Sequence, residues 1–249
     1  MRLVRVINEG DCRYGLADDT TVTFISEEPF AAWEPEGTVG LKHAELLNPV
    51  VPTKIVCVGL NYRGHAKEIG HDIPAEPLLF LKPPTSVNGP ECPIVLPTGV
   101  GRVDFEAELA AVIGRRTHKA DRDEARANVL GFTCANDVTA RDIQKQDGQW
   151  TRAKGFDGFC PLGPWVETDV DPSDLAIEAR VNGETRQSSR TSDMIFDVYD
   201  LVAFTSQVMT LVPGDVVLTG TPPGIGALES GDTVEIEIEG IGTLRNSVS

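Results

Sequence analysis

The segment from Val103 to Gly114, VDFEAELAAVIG, constrains the fold more than any other part of the chain. Side chains on a strand alternate between two faces, so Phe105, Ala107 and Leu109 share one face, and Glu106, Glu108 and Ala110 the other. The continuation Ala111-Val112-Ile113 is apolar without a break. Two carboxylates two residues apart therefore face the same way with no base among them. They repel each other unless something positive lies between them. A solvated acidic face fits the local pattern, and so does a site that binds a metal or shares a proton.

The rest of the chain reads as a β-rich mixed fold. MRLVRVIN, CRYGLADD and TVTFIS alternate like short strands, and LKHAELL reads as a short helix. The two prolines of NPVVPTK mark a connector near residue 50. Beyond it come a buried strand, KIVCVGL, a short helical piece within NYRGHAKEIGHDIPAEP, and a strand broken by prolines, LLFLKPPTSVNGP. ADRDEARANVLGFTCANDVTARDIQKQ reads as helix, strand and a second short helix capped near Thr139. Asn182-Gly183 carries the signal of a two-residue hairpin. SDMIFDVYDLVAFTSQVMTL reads as a core helix capped by Ser192 or Asp193. A length of 249 residues suits one large domain, or one with a small appendage.

Composition narrows the function. Hydrophobic residues make up 41% and mean hydropathy is -0.12, as in a soluble globular protein. No apolar run approaches the roughly 20 residues that span a bilayer. The start, MRLVRVINEGD, has no signal-peptide core, so a cytoplasmic location is expected. A net charge of -16 argues against nucleic acid or an anionic membrane as partner. The five cysteines are odd in number and widely spaced, with no C-x-x-C pair, which speaks against a zinc site or a disulfide framework. Cys134 and Cys160 read as buried thiols.

Asp137, at a turn after an apolar strand, is by itself an ordinary turn aspartate. With Glu106 and Glu108 it can complete a set of three hard oxygen ligands, which favours Mg²⁺ or Mn²⁺ over zinc. His65 and Glu68 are three residues apart and share a face if their segment is helical. They are then either a surface pair or a base oriented by its carboxylate. His43, His71 and His118 lack such a partner. Lys154 is an ordinary lysine or a cation placed to stabilise an oxyanion. Thr219 and Thr221 lie in a glycine- and proline-rich loop of the kind that brings backbone N–H groups near a ligand; it lacks the ending of a nucleotide-binding P-loop. The charged, glycine- and proline-containing span from His65 to Pro77 reads as a mobile lid.

Taken in order, CVGLNYRGHAKE, PLLFLKPPTSVNGP, DFEAELAAVIGRR, GFTCANDVTARDIQ, KGFDGFCPLGPWV, VNGETRQ, GDVVLTGTPPGIG and GDTVEIEIEGIGTLRNSV resemble the fumarylacetoacetate hydrolase family. The resemblance runs from about Lys54 to the C-terminus. It implies a β-rich α+β fold, the family's mixed β-roll or sandwich, with a small N-terminal module at 1–50 and a catalytic domain at 51–249, assembled as a homodimer. It implies Mg²⁺ or Mn²⁺ on Glu106, Glu108 and Asp137, and a water-activating dyad of His65 and Glu68. It gives Lys154 a catalytic role and makes Arg141, Gln144 and Thr221 substrate contacts. The expected substrate is a small 2-oxo or 2,4-dioxo acid. Chelated by the metal, an acylpyruvate-type acid would be hydrolysed at a C–C bond through an enolate that the metal stabilises. The same chemistry also allows isomerisation of 2-hydroxyhepta-2,4-diene-1,7-dioate, or decarboxylation or tautomerisation of oxaloacetate. A non-catalytic metal- or ligand-binding protein is a more distant alternative.

Overall fold

The computed structural model describes residues 1–68, 70 and 72–249. The N-terminal strands are β1 (Arg2–Asn8), β2 (Asp11–Ala17), β3 (Thr21–Ile25), β4 (Pro35–Gly40) and β5 (Glu45–Leu46). The helix expected at LKHAELL is instead a single 3₁₀ turn, Leu41–His43, that runs into β5. β5 pairs with β1 through Val6↔Leu46, and strand pairing there wins over the local helical preference. β6 (Ile55–Gly59), α1 (Arg63–Glu68), β7 (Leu78–Lys82), β8 (Val87–Asn88), β9 (Val103–Phe105) and β10 (Ala107–Ile113) follow. Next come α2 (Arg122–Asn128), β11 (Val129–Asn136), β12 (Thr139–Ala140), α3 (Arg141–Asp147), α4 (Thr151–Lys154) and β13 (Cys160–Glu167). The chain ends with β14 (Ala176–Val181), β15 (Glu184–Arg190), α5 (Val198–Val208), β16 (Val216–Leu218), β17 (Gly226–Ala227), β18 (Thr233–Ile238) and β19 (Gly242–Ser247).

The large sheet has the order β4-β3-β2-β1-β13-β11-β10-β16-β6-β7. The N-terminal strands extend it through Arg2↔Glu167 and Leu3↔Val166. A four-stranded sheet, β15-β14-β18-β19, lies against it. Phe105, Ala107, Leu109 and Ala111 pack with Ile177, Ile236 and Leu201 in the core that the two sheets share with α5. Ala110 and Val112, on the opposite face of β10, pack with Ile55, Cys57 and Leu218. Strand alternation thus divides β10 between two apolar cores, and no part of it is solvated.

Two helix starts differ from expectation. α3 has Ala140 as N-cap with no side-chain cap, while the Thr139 hydroxyl donates to the Asp137 carbonyl at 2.8 Å. α5 is capped by Asp197, whose carboxylate accepts from the N–H groups of Tyr199 and Asp200, rather than by Ser192 or Asp193. Ser192 and Asp193 belong to a preceding 3₁₀ turn. Asn182 and Gly183 both take positive φ, 54° and 80°, as a two-residue hairpin turn requires.

The sheet corner that positions the site lies at Glu106. β10 pairs with β11 in the large sheet up to Ala107↔Asn136, whereas β9 pairs with β12 in a separate three-stranded ribbon. Both chains therefore leave one sheet for the other at the same place. Glu106 and Asp137 sit at the two crossings, joined by a bond from the Asp137 N–H to the Glu106 carbonyl at 2.9 Å.

Candidate active site

Glu106, Glu108 and Asp137 are 4%, 1% and 0% exposed. One oxygen from each lies within 4.8 Å of the others. The strand geometry accounts for this: Glu106 and Glu108 follow the same face of one chain, and the corner brings Asp137 beside them. Asn136 fixes the corner by accepting the Glu106 N–H at 2.9 Å.

Buried carboxylates need cations or donors, and these are divided unequally. The Lys154 ammonium bridges Glu106 Oε2 at 2.7 Å and Asp137 Oδ2 at 2.6 Å. Lys82 donates to Asp137 Oδ1 at 2.6 Å and to the Val138 carbonyl at 3.2 Å. Arg141 donates to Glu106 Oε1 at 2.5 Å, to Asp104 Oδ2 at 2.8 Å and to Gln144 Oε1 at 2.5 Å. Among the described residues, Glu108 has no cation within ion-pair distance; its Oε2 accepts the Gly220 N–H at 2.7 Å. Burial opposes ionisation of Glu106, but Lys154, Arg141 and His65 outweigh it and hold its carboxyl well below the usual carboxylate range. Burial, reinforced by the charges of Asp137 and Glu106, pushes Glu108 well above that range. Burial also works against the charge on Lys154, yet Asp137 and Glu106 raise its pKa above that of an ordinary lysine.

This arrangement fits a divalent cation. Three hard oxygen donors converge, and one of them, Glu108, has no positive partner. No sulfur or imidazole belongs to the cluster, so its chemistry suits Mg²⁺ or Mn²⁺ better than zinc.

His65 and Glu68 form a dyad on α1, with Nδ1 3.0 Å from Glu68 Oε2. The other Glu68 oxygen accepts the Gly224 N–H at 3.0 Å. His65 is 5% exposed. It lines one cavity of about 400 Å³ together with the carboxylate triad, Lys154, Arg141, Gln144 and Thr221. Glu68 stands behind His65 and does not itself line the cavity. The loop after β16 supplies backbone donors, as its glycines suggested: Gly220 to Glu108 and Gly224 to Glu68. Gly220 has φ 93°, and a Cβ there would meet the Asn61 Cβ at 2.8 Å, so only glycine fits. Thr219 faces the core and donates to the Leu109 carbonyl at 2.8 Å. Within the expected lid, Ile69 and His71 lie outside the described residues. His118 is exposed and meets the Thr210 hydroxyl at 3.1 Å.

Residues 54–249 match the family described as fumarylacetoacetate (FAA) hydrolase C-terminal, and residues 1–49 match the family described as Rv2993c-like, N-terminal. The chain belongs to the fumarylacetoacetate hydrolase family. Its relatives within the fumarylacetoacetate hydrolase family include the human mitochondrial oxaloacetate tautomerase FAHD2B, 47% identical over 215 residues that cover 81% of this chain and 68% of the relative. The solved structure of 5-carboxymethyl-2-hydroxymuconate delta-isomerase from Mycobacterium smegmatis is 47% identical, with a TM-score of 0.94 over 100% of this chain and 99% of that one. That of 2-hydroxyhepta-2,4-diene-1,7-dioate isomerase from Mycobacterium marinum is 48% identical, with a TM-score of 0.93 over 100% and 98%. The fold is therefore the β-rich fold of the fumarylacetoacetate hydrolase family.

Sequence reasoning missed several residues at this fumarylacetoacetate hydrolase-type site. Lys82 ends the apolar strand LLFLK, and a lysine closing such a run was the available signal. Asp104 is fully buried and anchors both Arg141 and Arg102. Gln187 accepts the Ala107 N–H at 2.9 Å and donates to the Thr221 hydroxyl at 2.8 Å; it closes the stretch VNGETRQ, and that was the available signal. Phe80 and Trp150 form an aromatic wall, with ring centroids 5.2 Å apart and steeply inclined. Gly59 makes room for it, since a Cβ there would meet the Trp150 ring at 2.7 Å.

Proposed function

We propose that the protein is a divalent-metal-dependent tautomerase or isomerase of small 2-oxo acids, with keto–enol interconversion of oxaloacetate as its test reaction. The observation that carries this reading is His65, paired with Glu68, in one cavity with three converging carboxylates. A proton shift next to a carbonyl requires one positioned base and one centre that stabilises an oxyanion. The proton-shifting activities named for three relatives support the same reading.

Mg²⁺ or Mn²⁺ held by Glu106, Glu108 and Asp137 would supply Lewis acidity to the adjacent oxygens of the 2-oxo acid. Glu68 fixes the tautomer of His65 by engaging Nδ1, which leaves Nε2 for proton transfer. In the enolising direction His65 takes the proton from the carbon beside the carbonyl and returns it to the oxygen. In the ketonising direction the proton moves the other way, and no atom enters or leaves. Lys154 stabilises negative charge developing on oxygen. Arg141, Gln144 and Thr221 orient the substrate carboxylate. The division into a module at 1–50 and a catalytic domain at 51–249, a homodimeric assembly and a cytoplasmic setting belong to the same proposal. Among the described residues, no helix is long and apolar enough to cross a membrane.

Hydrolysis of an acylpyruvate-type acid is the second reading. It uses the same groups with His65 activating water, and the family assignment favours it. Parallel assays decide between them: oxaloacetate tautomerisation, dienedioate isomerisation, oxaloacetate decarboxylation and acetylpyruvate cleavage, each with and without Mg²⁺ or Mn²⁺. The expected result is a metal-dependent proton shift at least about tenfold faster than any C–C cleavage, the margin that one positioned general base can exceed. Faster acetylpyruvate cleavage would return the protein to the hydrolases. No metal-dependent turnover of any substrate would make it a binding protein.

A further inference from the structure

Strand β15 is solvated along most of its length, and Gln187 is its one buried residue, 0% exposed. The ladder with β14 slips just before it: Ala179 faces Gln187 while Arg180 faces Thr185, so Arg186 is a bulge. A bulge re-aims the side chains beside it. The Gln187 side chain reaches from the four-stranded sheet to Ala107 on β10 and to the loop after β16.

Each partner of that side chain fixes the role of the next. The Ala107 N–H can only donate, so the Gln187 atom that meets it at 2.9 Å is the amide oxygen. The amide nitrogen therefore faces the loop and donates twice, to the Pro222 carbonyl at 2.7 Å and to Thr221 Oγ1 at 2.8 Å. Thr221 thus receives a hydrogen from Gln187 and must direct its own hydroxyl hydrogen elsewhere. Among the described residues that hydrogen meets no protein acceptor. Thr221 lines the cavity and Gln187 does not, so the hydrogen is offered to whatever the cavity holds. Thr219, two residues earlier, gives its hydroxyl hydrogen to the Leu109 carbonyl instead. Without Gln187 the Thr221 hydroxyl is free to turn and present a lone pair. Ala107 lies between Glu106 and Glu108, so the same amide also ties the place of this donor to the carboxylate strand.

From this we infer that Gln187 is a positioning residue: it commits Thr221 to donate into the cavity, toward an acceptor oxygen of the bound ligand, at a spacing set from the carboxylate strand. This rests on the reading of Thr221 as a substrate contact proposed above and adds to it the residue that sets its polarity.

The test uses the full chain with Mn²⁺ and reads binding separately from turnover. The probe is oxalate, whose oxygens all accept, titrated by calorimetry. Thr221→Val should weaken oxalate by about ten- to a hundredfold, as loss of a hydrogen bond to a charged group implies, and Thr221→Ser should keep most of the affinity. Gln187→Met removes the amide at similar volume, and Gln187→Asn is too short to span Ala107 and Thr221. Each should weaken oxalate by about tenfold. The double variant Gln187→Met/Thr221→Val should bind within about twofold of Thr221→Val alone, because the first change has no hydroxyl left to act on. With oxaloacetate as substrate, the loss in Gln187→Met should appear in KM rather than in kcat. The inference is overturned if both Gln187 variants bind oxalate like the wild type, or if the double variant shows the full product of the two single losses, as a merely structural residue would give. It is equally overturned if neither Gln187 variant folds, or if Thr221→Val has no effect. Absence of tautomerase activity alongside a coupled loss of oxalate binding would reject the proposed reaction and leave the assignment of Gln187 standing.

Discussion

Lys82 offers the most direct test of how the carboxylate cluster is held. Its side chain is fully buried, and among the described residues Asp137, through Oδ1, is its one charged partner. Lys82→Met keeps most of the apolar stem and removes the ammonium, leaving Asp137 with Lys154 alone. Removing one partner of a buried ion pair typically costs about 3–5 kcal/mol, because the remaining charge has lost its compensation. Lys154 still holds the second Asp137 oxygen, so the lower end of that range, about 3 kcal/mol, is expected. For a chain of this length each kcal/mol moves Tm by about 2–4 °C, so the midpoint should fall by ~6–12 °C. The assay is thermal unfolding in excess chelator, with the double variant Lys82→Met/Asp137→Asn as control. Neutralising Asp137 as well removes the orphaned charge and should recover a substantial part of the loss. A Lys82→Met midpoint within about 2 °C of wild type, or a double variant no more stable than Lys82→Met, would refute the argument that charge compensation holds this corner.

Three further outcomes follow from the same geometry. His65→Ala should lower the metal-dependent proton-shift rate by about 10²–10⁴-fold without abolishing metal binding, as stopped-flow enol spectroscopy and calorimetry can read separately. Glu108, with its pKa raised by burial and by its acidic neighbours, should lose a proton when Mg²⁺ or Mn²⁺ binds. Apparent metal affinity should therefore rise with pH through that raised pKa; a flat dependence, or an unchanged one in Glu108→Gln, would contradict it. Burial pushes the Cys134 and Cys160 thiols up to about 12, so their thiolate fractions at pH 8 are on the order of 10⁻⁴. Iodoacetamide should label exposed Cys12 in the native protein and reach these two only after unfolding, as read by peptide mass spectrometry.

The features legible in the sequence are those set by residues close in the chain. Period-two alternation placed Glu106 and Glu108 on one face, the three-residue spacing allowed His65 to meet Glu68, and Asn182-Gly183 marked its hairpin. Partners distant in sequence were not legible. Lys82 meets Asp137 across 55 positions and Gln187 meets Ala107 across 80, and no local rule pairs them. The sheet change at Glu106 is also invisible locally, because β9 and β10 read as one strand until their partners β12 and β11 are known. The helix expected at LKHAELL failed for the same reason, since the β1 edge decides that segment. A net charge of -16 gave no hint that three acids would be buried at one cavity.

The loop after β16 holds both halves of the proposed reaction centre through its backbone, since the amides of Gly220 and Gly224 fasten Glu108 and Glu68. Main-chain donors do not change when side chains mutate, so the spacing between base and cation site is written into the path of the chain rather than into replaceable residues. The facing wall of Phe80, Trp150 and Lys145 is built from side chains on β7, α3 and the start of α4, and carries none of these bonds. On the proposed function, substitutions there would exchange one ligand for another while the dyad and the carboxylates stay in register. A lineage built on this frame is free to diversify its substrates quickly and its chemistry slowly.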